Sequence, residues 1–146
     1  MMTFLPYPDF IESFKVLDYK RLGKQRVEAF QILNVLTGVQ KSKGWYNHPA
    51  VTMWKGYESA LMMYHDLCIM EWISRGYKNS MPFRDVDKGT IEMPWWFGNE
   101  NLHRSHRARL IEKNTEFYEP LFLGDKGFNG GKYFWPVMET KTFKII

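Results

Sequence analysis

The sequence predicts an all-α fold: one compact domain of three main helices with long loops and an extended N-terminal arm. Three observations carry that expectation. Apolar residues recur at threes and fours over two long stretches, 22–36 and 53–72, and a third helical segment at 102–113 follows a capping asparagine. Prolines fall between those stretches rather than inside them. At 146 residues the chain can bury roughly two-thirds of its unfolded surface, enough for a core without disulfides. It divides into an arm at 1–8, a helical core at 9–122 and an aromatic tail at 123–146, with no repeat, low-complexity tract or linker.

Met1-Met2-Thr3-Phe4-Leu5-Pro6-Tyr7-Pro8 holds two prolines and reads as extended. Asp9 is placed to cap a short helix carrying Phe10, Phe14 and Leu17. The next segment organises the chain. Lys20, Arg21, Lys24 and Arg26 crowd into seven positions, Glu28 follows, and Leu22, Val27, Phe30, Leu33 and Leu36 form an approximate apolar stripe. On this amphipathic helix Arg21, Gln25 and Glu28 share a face, and Lys24 stands beside Glu28 at i,i+4. The pattern alone fits a solvated charged face; it also fits an acid held ionised among cations that attract a polyanion. Thr37-Gly38 ends the helix, and Lys41-Ser42-Lys43-Gly44 reads as an exposed loop.

Asn47-His48-Pro49 opens a second helix that runs to Arg75 over about 24 residues, with Gly76 closing it. Its aromatic side makes it the central core element, and Cys68 on that side is expected to be a buried, inert thiol. Residues 78–101 lack a period and form a long loop with one turn of helix. Within it Pro94-Trp95-Trp96-Phe97 is a core plug or a stacking platform, and the area that tryptophan buries favours the core. Asn101 caps a third helix, 102–113, which presents His103, Arg104, His106, Arg107 and Arg109. Phe117-Tyr118, a glycine-rich turn at 127–131 and the aromatic Tyr133-Phe134-Trp135-Pro136 complete the chain.

The net charge of +4 is uneven: residues 15–43 carry +5, residues 102–113 carry +3, and the remainder sums to −4. Two basic segments in an otherwise acidic chain favour a nucleic acid or another polyanion as partner. No apolar run approaches a membrane span, no basic leader precedes one, and the single cysteine suits a reducing compartment, so a cytoplasmic, monomeric protein with no membrane partner is expected. His103 and His106 have the spacing of a metal pair, but further ligands are missing and the adjacent arginines repel a cation; no metal and no cofactor are expected. Phosphate contact by the basic helix, through His103, His106 and Arg107, is the more economical reading. His48 beside Pro49 reads as a helix-opening residue. No nucleotide-binding loop or serine nucleophile motif is present.

Arg21-Leu22-Gly23-Lys24-Gln25-Arg26-Val27-Glu28 resembles the helix that carries the catalytic glutamate in the pyrimidine-dimer DNA glycosylases typified by phage endonuclease V. Met2-Thr3 resembles the start of that family. His48-Pro49, leading into an aromatic helix that ends Arg75-Gly76-Tyr77, is similar to its second helix. Ala108-Arg109-Leu110-Ile111-Glu112-Lys113, followed by Thr115-Glu116-Phe117-Tyr118, resembles its third helix and the aromatic segment beyond. These four blocks keep their order along the chain.

The resemblance implies a DNA repair glycosylase with associated AP lyase activity on damaged double-stranded DNA, acting on pyrimidine dimers or another modified base. A free α-amine attacks the anomeric carbon, expels the base through a Schiff base and cleaves the strand by β-elimination. An α-amine, with a reference pKa of about 7.7–8.0 against about 10.4 for lysine, is partly neutral and nucleophilic at pH 7. By this likeness Glu28 is the catalytic carboxylate and Thr3, exposed if initiation at Met2 is followed by loss of that methionine, supplies the amine. Arg109 and Lys113 match phosphate-contact positions, Arg21, Lys24 and Arg26 extend the DNA-binding set, and Phe117 and Tyr118 fall near the expected lesion. Phe4 and Val27 stand where the family carries arginines. The alternatives are a catalytically silent nucleic-acid-binding module and a basic-patch protein-interaction domain.

Overall fold

The computed structural model describes residues 1–39, 43–87, 89 and 91–146, with the side chain of Lys43 excepted. It is mainly helical, at 53% helix, and ends in a small antiparallel sheet, so the all-α expectation is corrected to mainly α. The chain forms two compact units. One comprises Met1–Thr3 with Phe10–Pro94, the other Phe4–Asp9 with Trp95–Ile146.

The first unit holds α1 (Phe10–Lys15), α2 (Tyr19–Leu36), α3 (Lys43–Tyr46), α4 (Pro49–Thr52) and α5 (Glu58–Ser74), with α2 and α1 both packed on α5. The organising helix ends where the sequence places it: Thr37 is the C-cap and Gly38 takes φ +80°. Its inward face differs from the expected stripe. Leu22, Gln25, Ala29, Ile32, Leu33 and Val35 are buried, while Val27 is 41% exposed. Five residues from Leu22 amount to about 140° of rotation beyond a full turn, which carries Val27 off the face that Leu22 occupies. Gly23 lets α5 approach closely, since a Cβ there would meet the Trp72 ring at 3.0 Å.

The long second helix is broken. Residues 53–57 turn between α4 and α5, with Gly56 at φ +85°, a conformation that an L side chain resists. Met53 and Trp54 are fully buried in that turn, which is why the apolar spacing continues across the break. Cys68 is buried on α5 as expected, and burial pushes its thiol pKa far up. Beyond the C-cap Arg75, Gly76 takes φ +88°. The Arg75 guanidinium donates to the carbonyls of Leu17 (2.7 Å) and Phe14 (2.8 Å), closing the elbow between α1 and α2. Lys41 and Ser42 of the expected loop lie outside the described residues, and Lys43-Gly44 open α3 instead. No α-helix interrupts the described part of 78–99.

In the second unit α6 (Glu100–Lys113) begins two residues earlier than expected. Its cap is Asn99 rather than Asn101, and the Asn99 side chain accepts from the Leu102 amide at 3.1 Å. α7 (Thr115–Tyr118) follows. Trp96 is fully buried, as core packing requires. The aromatic tail forms a hairpin of β1 (Phe134–Val137) and β2 (Thr142–Ile145), with Trp135 opposite Lys144 and Pro136 opposite Phe143. Phe134 stacks on Phe143 with centroids 4.6 Å apart, and Trp95 tilts against the same ring at 5.2 Å. No helix among the described residues is long and apolar enough to cross a membrane.

Candidate active site

Glu28 sits in the third turn of α2, half-buried. Gln25, one turn earlier, holds it: its Nε2 donates to Glu28 Oε2 at 2.9 Å. Gln25 is itself fully buried, and its Oε1 accepts from the Tyr64 hydroxyl of α5 at 2.8 Å. Tyr64 is clamped in turn by Phe14 (4.7 Å), Phe10 (5.4 Å) and Trp54 (5.9 Å). A buried amide and phenol thus fix the carboxylate from behind, at the cost of two polar groups in the core that satisfy one another.

The same aromatic group moors the beginning of the chain. Trp54 Nε1 donates to Thr3 Oγ1 at 3.0 Å, and Thr3 is fully buried behind Met1 and Met2. The Met1 amine lies close enough to Glu28 to act on it. Burial raises the Glu28 pKa, opposed by the Met1 amine, then Arg21, Lys24 and the Gln25 hydrogen bond. The charge of the same amine also acts on His48, whose pKa is lowered first by burial and then by that charge.

Of the expected cations on α2, Lys24 is exposed, Arg21 is half-exposed, and both favour the ionised form of Glu28. Arg26 is committed elsewhere. It donates to Asn79 Oδ1 at 2.6 Å and covers the Trp72 ring at 4.7 Å, so its first duty is to hold the segment after α5.

The second unit places its expected DNA contacts differently, and four of them need correction. His103 and His106 are buried, and together they bind one peptide group: Leu5 N donates to His106 Nδ1 (2.9 Å) and His103 Nδ1 donates to the Leu5 carbonyl (2.8 Å). Burial lowers both pKa values, that of His106 to about 3, so neither ring offers charge to a phosphate. Arg107 spends its guanidinium on Asp125 (2.7 Å), Glu100 (2.7 Å) and the Pro6 carbonyl (2.7 Å). Tyr118 is buried and stacks on Phe122. Arg109, Lys113 and Phe117 remain at the surface: Arg109 bonds the Gly131 carbonyl at 3.1 Å, and Phe117 is 42% exposed.

Nothing in the sequence alone marks Tyr64, Trp54 or His48 as site residues, and Gln25 only weakly. Gln25 carried a signal, a polar residue three positions from an acid on one helical face; the others became visible only through their partners. A family model described as pyrimidine dimer DNA glycosylase matches residues 1–85, the stretch that contains Met1, Thr3, Gln25, Glu28, His48, Trp54 and Tyr64. No curated protein and no solved structure matches the chain.

Proposed function

The chain belongs to the pyrimidine dimer DNA glycosylase family, and from that premise we propose that it excises a damaged base from double-stranded DNA through a Schiff base and then cleaves the strand as an AP lyase. The observation that carries this reading is the Met1 amine acting on a half-buried carboxylate that Gln25 holds in place. A neutral α-amine attacks C1′ and the base departs. Glu28 then faces the cationic sugar, stabilises it and shuttles protons during imine formation and β-elimination. Its raised pKa suits that task, because a carboxyl group exchanges protons best when its pKa moves toward the working pH.

The amine that attacks is the first one of the chain. With Met1 in place it is that of Met1; if Met1 and Met2 are removed it is that of Thr3, which its bond to Trp54 keeps moored. Arg21, Lys24, Arg109 and Lys113 supply phosphate contacts and Phe117 an aromatic surface near the lesion, with Arg26 acting through the segment it anchors.

Borohydride trapping on DNA containing an abasic site tests this. A covalent adduct is expected, lost in Glu28→Gln and on N-terminal blocking, and peptide mapping of the adduct identifies the attacking residue. No adduct would overturn the Schiff-base mechanism. The burial of Thr3 behind two methionines favours the second reading, a silent nucleic-acid-binding module; salt-dependent DNA binding without any adduct is its signature.

A further inference from the structure

Breaking a glycosidic bond develops two charges, positive on the sugar and negative on the departing base. Glu28 answers the first. The second calls for a hydrogen-bond donor, and among the described residues His48, on which the charge of the same amine acts, is a candidate. His48 is the N-cap of α4, where its Nδ1 accepts from the Ala50 amide at 3.1 Å. A ring that accepts at Nδ1 carries its proton on Nε2 when neutral, so the local fold selects the tautomer. The Trp45 ring, 5.5 Å away, limits the orientation of the imidazole. Nε2 bonds no other described residue. The ring is also kept from charging, by burial and by the Met1 amine. The arrangement is therefore a neutral donor in the field of the Met1 amine, with little tendency to take up a further proton.

We propose that His48 donates a hydrogen bond from Nε2 to the pyrimidine as it leaves, stabilising the charge that gathers on its carbonyl oxygen, and so serves base expulsion but not strand cleavage. In that step the amine lone pair forms the bond to C1′, the C1′–N1 pair departs with the base, and the proton shed by the amine balances the one the base takes up. The inference rests on the glycosylase reading above.

His48→Asn tests it, because asparagine retains an oxygen to cap Ala50. Two reactions of the variant are compared with the parent: single-turnover release of the base from DNA carrying a thymine dimer, and borohydride trapping on preformed abasic-site DNA, which has no base to expel. Base release is expected to slow about 100-fold, the scale on which a single transition-state donor acts, while trapping keeps its rate. An equal loss in both reactions, or none in either, overturns the role of His48. Failure of the parent to trap at all sinks the Schiff-base reading instead. His48→Ala, which loses the cap as well, separates the two contributions through its thermal stability: the asparagine variant should keep the parent's melting temperature and still show the split.

Discussion

A buried histidine is a statement about pH. His103 and His106 between them satisfy both polar groups of the Leu5 peptide, and both are held neutral. Their folded pKa values lie below the ordinary 6.5, so the stability they contribute is complete above about pH 6.5 and is lost as pH falls toward 3, where His106 at last protonates. Each such ring steepens that loss by up to about 1.4 kcal/mol per pH unit. Urea midpoints measured from pH 7 to 4.5 should fall accordingly, and His106→Asn should flatten the slope while lowering stability at pH 7. Glu28 has the opposite sign. Burial raises its pKa, so the fold bears the cost of its charge above that pKa and recovers it as pH drops. Glu28→Gln is expected to raise the melting temperature at pH 7, with the gain shrinking through the acid range just above the usual carboxylate pKa, even as trapping is lost. An unchanged melting temperature would mean that the carboxylate is better solvated than its burial indicates. Gln25→Leu removes the acceptor at 2.8 Å from the Tyr64 hydroxyl and the donor to Glu28, and should cost about 1–3 kcal/mol in chemical denaturation.

At the scale of elements, the contact of α2 with α5 depends on what is missing at Gly23. Alanine there gains up to about 1 kcal/mol in helix propensity. Its Cβ would lie 3.0 Å from the Trp72 ring, and overpacking of that kind costs about 1–3 kcal/mol, so Gly23→Ala should be net destabilising. Trp72→Phe in the same background should recover part of the loss; additive effects would show that the two positions do not meet. Gly23 also illustrates what the sequence can and cannot disclose. The end of α2 at Thr37-Gly38 is legible because a helix stop is written in the residues that form it. The break at Gly56 is hidden because Met53, Trp54, Leu61 and Tyr64 all face the core on both sides of it, so apolar spacing runs on while the backbone turns. The hairpin is hidden for a related reason: its strands are four residues each, too short for a period of two to emerge, and Pro136 argues against a strand unless the strand has a free edge. In the candidate site, Glu28 could be named only through the family likeness of its helix, because its cations fit a solvated charged face as well; the bonds behind it could not be named at all, since a buried glutamine declares itself only when Tyr64 arrives from another helix. Arg107 and the two histidines of α6 read as surface residues in the sequence because basic residues in a helix normally are; here each has a backbone or carboxylate partner that no local pattern records.

At the scale of the molecule, charge is concentrated rather than abundant. The first unit has twelve lysines and arginines against nine acids, the second eight against seven. DNA binding should therefore depend on a few cations, with Lys24 among them. Lys24→Ala should weaken binding across sequences and reduce the slope of log K against log salt by about 1. A slope that stays put would remove Lys24 from the phosphate contacts. The division of the chain carries one more consequence. Phe4–Asp9 belongs with residues 95–146, although it is followed by most of the other unit. On the ribosome, the peptide of Leu5 emerges among the first and meets its two imidazoles only when α6 has been made, some hundred residues later. Phe4 and Leu5, both fully buried in the finished protein, stay uncovered through that interval. A nascent or truncated chain ending near Pro94 should then be sticky and dependent on chaperones, and the emergence of α6 should be the event that lets the opening residues come to rest.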